Sequence, residues 1–196
     1  MNPKIWGPFA WTFLHYITLD HPNKPTKDDR DNLLNFFNIF QSIIPCQVCK
    51  KNFRRHLDEF PLTDEILLDN QKTINWLFKM HNRINDELGK RRYLYDEFHN
   101  KYHARIKSDQ DFLNLEIRIW YLFKYIILNY PLVPLDSDKN NMNDFFEILK
   151  IMFPVGLVKD NYLELIKINP LNDKILSSRK YLYNWYLEMD KMIKNI

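Results

Sequence analysis

The chain has 196 residues, 45% apolar and 27% charged, with a formal net charge of +3. That is enough to bury a sizeable core as one large domain or two small ones. Three glycines, 15% aromatics and only two cysteines exclude collagen-like, mucin-like, disordered and disulfide-scaffold classes, and so small a charge gives no argument for a nucleic-acid partner. The first twenty residues show no basic segment leading into a smooth apolar stretch and no small-residue cleavage site, so secretion is not expected. The longest uncharged run, 32–49, is broken by asparagines, Gln41, Ser42 and Pro45 and does not read as a membrane span.

Helical spacing dominates, and no strong strand alternation is present. A first helix is expected over 8–19, with Trp11, Leu14, His15 and Thr18 on one face. Pro22 and Pro25 close a loop, Thr26 is a good N-cap, and a second helix covers 27–44. Pro45 interrupts it. A third helix starts near Cys46 and stops before Pro61. Thr63 or Asp64 caps a short connecting turn, and a fourth helix covers 71–88 with Gly89 at its C-terminal cap. These four helices predict a compact bundle. Residues 90–108 read as a charged linker, followed by helical patterns over 111–130, 143–152 and 174–194. The predicted architecture is all-α: a bundle domain over 1–92, then a second helical domain or extension over 93–196. No internal repeat stands out.

Every cysteine lies in the segment Cys46-Gln-Val-Cys49. A cysteine beginning a helix after a proline has its thiolate favoured by unpaired N–H groups and the helix dipole, and Lys50, Lys51, Arg54 and Arg55 add positive charge. Two thiols three residues apart suit a dithiol redox couple. Chance-spaced buried cysteines, a zinc site short of ligands, and a thioredoxin-like domain lacking its strands are the competing readings. Two further clusters stand out. Trp6-Gly7-Pro8-x-x-Trp11-x-x-x-His15 puts Trp11 and His15 on one helical face, with Gly7 permitting close backbone approach. His81-Asn82-x-x-Asn85, followed by Leu88-Gly89-Lys90, puts polar groups on a mostly apolar helix. Buried there, they need partners, which a planar heteroaromatic ligand supplies, with Lys90 meeting a phosphate. Taken alone, each cluster also reads as an ordinary helix with satisfied or solvated polar groups.

In the order WGPxxWxxxH, PCxxC, HNxxN-x-x-LGK, the three clusters resemble the Erv/ALR family of flavin-linked sulfhydryl oxidases, over about residues 4–91. The resemblance implies a four-helix bundle holding FAD and a redox disulfide Cys46–Cys49. Cys49 would face the flavin, and Cys46 would exchange with substrate. Gly7, Trp11, His15, His81, Asn82, Asn85 and Lys90 match positions that line FAD, and Trp76 matches a motif tryptophan. No metal site is implied. Protein thiols and dioxygen are the implied partners, peroxide the product, and a homodimer the implied assembly. Cellular members carry a further shuttle cysteine pair and structural disulfides. This chain has neither, and Phe78 stands where a structural cysteine normally falls. The cysteine-poor form resembles viral members that supply disulfides to virion proteins, which implies the host cytoplasm or the virion as its setting. Two other functions fit the residues: a helical interaction or assembly module, and a cofactor-free dithiol isomerase. Tyr93, Tyr95 and Phe98 are candidates for the adenine end of FAD, and His99 with His103 reads as a solvated pair.

Overall fold

The computed structural model describes residues 1–102, 108–154 and 156–193, and among these every regular element is helical. His103 lies outside the described residues. The first half comprises α1 (Pro3–Leu19), α2 (Lys27–Ile43), α3 (Gln47–Glu59), α4 (Asp64–Leu67), α5 (Asn70–Glu87) and α6 (Tyr95–Tyr102). The second comprises α7 (Asp109–Leu128), α8 (Asp136–Met152), α9 (Gly156–Ile168), α10 (Asp173–Leu176) and α11 (Arg179–Ile193). No described helix is long and apolar enough to cross a membrane.

The ends of these helices follow local chemistry. α1 begins earlier than its apolar spacing suggests, because Asn2 caps it by accepting from the Lys4 N–H and Pro3 suits the first turn. Pro8 therefore sits inside the helix, and the Thr12 hydroxyl donates to its carbonyl at 2.9 Å. Thr26 and Asp29 form a reciprocal capping box on α2. α2 stops at Ile43 because Ile44 precedes a proline and is held extended, with ψ 130°. Gly89, at φ +63°, closes α5: its N–H bonds the Asp86 carbonyl while the Lys90 N–H bonds that of Asn85. This is the paired arrangement of a Schellman cap.

Several expectations change beyond residue 90, and the helix expected over 174–194 is two, α10 and α11. The segment read as a linker holds α6, whose Phe98 and Tyr102 are buried against His15. α8 starts at Asp136, not 143, because the Leu135 N–H donates to the Asp138 carboxylate at 2.9 Å and the polar first turns face solvent. α9 gave no helical signal: Gly156 opens it and prolines 154 and 170 flank it. One apolar core spans both halves. Phe13 on α1 meets Phe36 and Phe40 of α2 on one side and Phe123 of α7 and Phe153 on the other.

Candidate redox site

The two cysteines are joined as a disulfide at the start of α3, with Cα atoms 5.1 Å apart. Cys46 is the N-cap in extended backbone (φ −167°), and its sulfur accepts the Cys49 N–H at 3.3 Å. Both sulfurs thus lie in the first turn of a helix, where the dipole and unpaired N–H groups favour a thiolate. Val48 between them is 69% exposed.

A cavity of about 850 Å³ lies against this turn, walled by α1, α3, α5 and the segment that leads into α6. Cys49 lines it; Cys46 stands outside its walls. The flat wall is a stack of Trp11 on His81, with ring centroids 3.8 Å apart and planes 6° off parallel. Behind it, His15 is fully buried and its Nε2 shares a hydrogen with His81 Nδ1 at 2.9 Å. Burial, reinforced by the Lys101 and Lys90 ammonium groups, pushes His81 down to about 3. The imidazole is therefore neutral and contributes a face, not a charge. His56, on α3 two turns after Cys49, lines the same cavity. Its Nε2 faces Glu87 at 3.1 Å, and burial holds its pKa below the usual imidazole range although Glu87 opposes the shift. His56 Nδ1 and Trp6 Nε1 are buried without a partner in the protein; such orphaned groups cost about 1–3 kcal/mol each if nothing meets them. Lys4, Lys90, Arg91, Lys101 and Arg118 reach the cavity, against Glu87 as its acid.

Of the residues singled out from sequence, Gly7, Trp11, Cys49, His81, Asn85 and Lys90 line this cavity. His15 and Asn82 are one layer back. The Asn82 side chain donates to the Tyr93 carbonyl at 3.0 Å and accepts the Tyr93 N–H at 2.8 Å, which pins the cavity-lining segment to α5. At Gly7 no protein atom lies within 4 Å of where a Cβ would stand, so no neighbouring backbone requires the glycine there. Trp76 lies in the core, its Nε1 donating to the Phe60 carbonyl at 2.8 Å and its ring edge-on to Phe37. Phe78 packs on Phe98 and Tyr95. Tyr93 lines the cavity, and neither Tyr95 nor Phe98 does. Lys101 and Tyr102 went unnoticed in the apparent linker, although a lysine beside an aromatic residue was legible there. Arg118 went unnoticed because it comes from the second half of the chain.

A disulfide at a helix start that presents one sulfur to an aromatic cavity lined by several cations is the arrangement that a dithiol redox couple beside a flat anionic ligand requires. The Erv1/Alr family model matches residues 9–104. A probable FAD-linked sulfhydryl oxidase of Acanthamoeba polyphaga mimivirus is 37% identical over 97 residues, covering 50% of this chain and 68% of the relative. The mitochondrial FAD-linked sulfhydryl oxidase ERV1 of Saccharomyces cerevisiae is 31% identical over 84 residues, 43% of each chain. An African swine fever virus FAD-linked sulfhydryl oxidase is 28% identical over 102 residues, 52% of this chain and 82% of that one. The chain belongs to the Erv1/Alr family.

Proposed function

We propose that this chain is an FAD-dependent thiol oxidase that forms disulfide bonds in protein substrates. The observation that carries the reading is the split character of the disulfide, with Cys49 on the cavity and Cys46 off it. The cavity fits FAD: its volume is at the upper end for cofactor sites, the Trp11–His81 stack offers a flat face, and His56 Nδ1 and Trp6 Nε1 lack protein partners. The cations among its lining residues suit a diphosphate. Trp11, His81, Asn85 and Lys90 would hold the cofactor directly. His15 and Asn82 would position His81 and the Tyr93 segment.

Bound FAD supplies a two-electron relay from the dithiol to dioxygen, which leaves as peroxide. The chain's own residues perform the exchange. A substrate thiolate attacks Cys46 Sγ, a mixed disulfide forms, and Cys49 departs as a thiolate within the first turn of α3. A second substrate thiolate attacks the substrate sulfur of that mixed disulfide, releasing oxidised substrate and leaving Cys46 and Cys49 reduced. The exposed Val48 beside Cys46 leaves room for a protein substrate. The likeness to viral relatives supports virion proteins as the substrates and the host cytoplasm or virion as the setting. The test is oxygen uptake with peroxide formation when purified yellow protein meets a model dithiol. Colourless protein that stays apo when supplied with FAD, or dithiol oxidation unaffected by Cys49→Ser, would overturn the reading.

A further inference from the structure

The helices of the second half repeat those of the first at a constant offset of 109 residues, from Lys27 to Asp136 and onward. α2 and α8 are both 17 residues long, α3 and α9 both 13, and α4 and α10 both 4. The four connections between α1 and α5 have seven, three, four and two residues, and those between α7 and α11 have the same lengths in the same order. Twenty-three positions of 3–84 carry the same residue 109 positions further on. They include Trp11 and Trp120, Phe36-Phe37 and Phe145-Phe146, Pro45 and Pro154, Leu67 and Leu176, and Trp76 and Trp185.

The internal contacts repeat as well. Trp76 Nε1 donates to the Phe60 carbonyl and Trp185 Nε1 to the Asn169 carbonyl, both at 2.8 Å. The His21 ring meets the Leu67 carbonyl at 3.0 Å, and the Tyr130 hydroxyl meets that of Leu176 at 2.9 Å. The Asn70 side chain donates to the His21 carbonyl, and the Arg179 side chain to that of Tyr130. Phe37 packs edge-on to Trp76 at 4.8 Å, and Phe146 packs the same way on Trp185 at 5.0 Å. A generic helical bundle has no reason to share side-chain-to-carbonyl bonds at one fixed offset.

The chemistry does not repeat. Val155 and Val158 stand where Cys46 and Cys49 do, Leu165 where His56 does, and Asp190 where His81 does. The cavity is filled too. Ala10 and Leu14 correspond to the larger Ile119 and Phe123, both fully buried. At the place of Gly7 stands Glu116, buried and hydrogen-bonded to Asn161 at 3.4 Å. Phe53 corresponds to Tyr162, whose hydroxyl is tied to the Phe146 carbonyl at 2.6 Å.

The two units meet through equivalent helices. α1 packs along α7 and α2 along α8, the most extensive helix contacts among the described residues. Like against like is the pattern of a twofold interface between two copies. α1 needs it: residues 12–18 are buried without a break, so its sides need packing partners as well as the cavity.

We infer that residues 109–193 are a second copy of the 3–84 fold, stripped of redox pair and cofactor cavity, that covers the α1–α2 face from within the same chain. The chain is thus a one-chain counterpart of a dimer, with one flavin, and it replaces the homodimer that the family resemblance implies. The repeat escapes inspection of the sequence because the matched positions are scattered core residues while the conspicuous motifs occur once. This inference rests on the repeat and not on the flavin reading. Sedimentation of the full chain from micromolar to hundred-micromolar concentration is expected to give a single species of 24.1 kDa. Amide exchange in α1 and α2 is expected to stay equally protected across that range. A species of twice that mass, or protection of α1 and α2 that falls on dilution, would overturn the internal cover. Flavin content separates the two proposals: a second flavin per chain contradicts the emptied copy, whereas a flavin-free monomer with protected α1 and α2 refutes the oxidase reading alone.

Discussion

His81 makes the stability of this protein depend on pH in a way that one variant isolates. Its pKa in the fold is about 3, against about 6.5 for a free imidazole. The folded state therefore binds fewer protons than the unfolded state between those values, and stability falls as pH drops below about 6.5. Above that pH the contribution is fully present. At pH 5 the unfolded imidazole is almost wholly protonated and the folded one is not, which costs about 2 kcal/mol from this residue alone. The stack on Trp11 covers one face of the ring and the shared hydrogen with His15 occupies its Nδ1, so burial of the ring disfavours the cation. Urea unfolding of cofactor-free protein at pH 7.5 and 5.0 reads the loss, and His81→Phe, which keeps a flat ring, is expected to shrink it by about 2 kcal/mol. His56 also has a lowered pKa and steepens the same profile in both proteins, so the difference between them reports His81. If wild type and His81→Phe lose equal stability between the two pH values, the imidazole is not held neutral and the argument is wrong.

Cys49→Ser is expected to abolish dithiol oxidation while retaining FAD, checked by oxygen uptake and by flavin released on denaturation. Trp11→Ala removes one ring of the stack that walls the cavity and is expected to lower FAD occupancy, read as the flavin-to-protein absorbance ratio. Trp76→Phe and Trp185→Phe each delete the bond from a core indole N–H to a backbone carbonyl. Both are expected to lower stability by about 1–2 kcal/mol in denaturant unfolding, and only Trp76 lies in the unit that holds the cavity. A large gap between the two losses would count against their equivalence.

Much of the site was legible because its residues are fixed by short-range rules. A cysteine following Pro45 could be read as the first turn of a helix, and Cys46 is that N-cap. Gly89 could be read as a helix stop, and its positive φ serves as one. What stayed hidden depends on distance in space. Nothing local says that Asn82 reaches the Tyr93 backbone rather than the cavity, or that Arg118 arrives there from α7. α9 was missed because Gly156 and two flanking prolines are breaker signals, and tertiary packing of Val158, Tyr162 and Leu165 outweighs them. The charge-rich segment around α6 looked solvated because Phe98 and Tyr102 are its only deeply buried side chains among those described.

The account turns on electrons crossing from Cys49 to a flavin in the adjoining cavity. An anaerobic titration of FAD-loaded protein with a dithiol, followed in the flavin's visible band, tests this most directly. Bleaching that is complete in the wild type, reversed by admitting air and absent in Cys49→Ser is the predicted result. A band that stays unchanged in the wild type, or that bleaches equally in Cys49→Ser, would contradict the account.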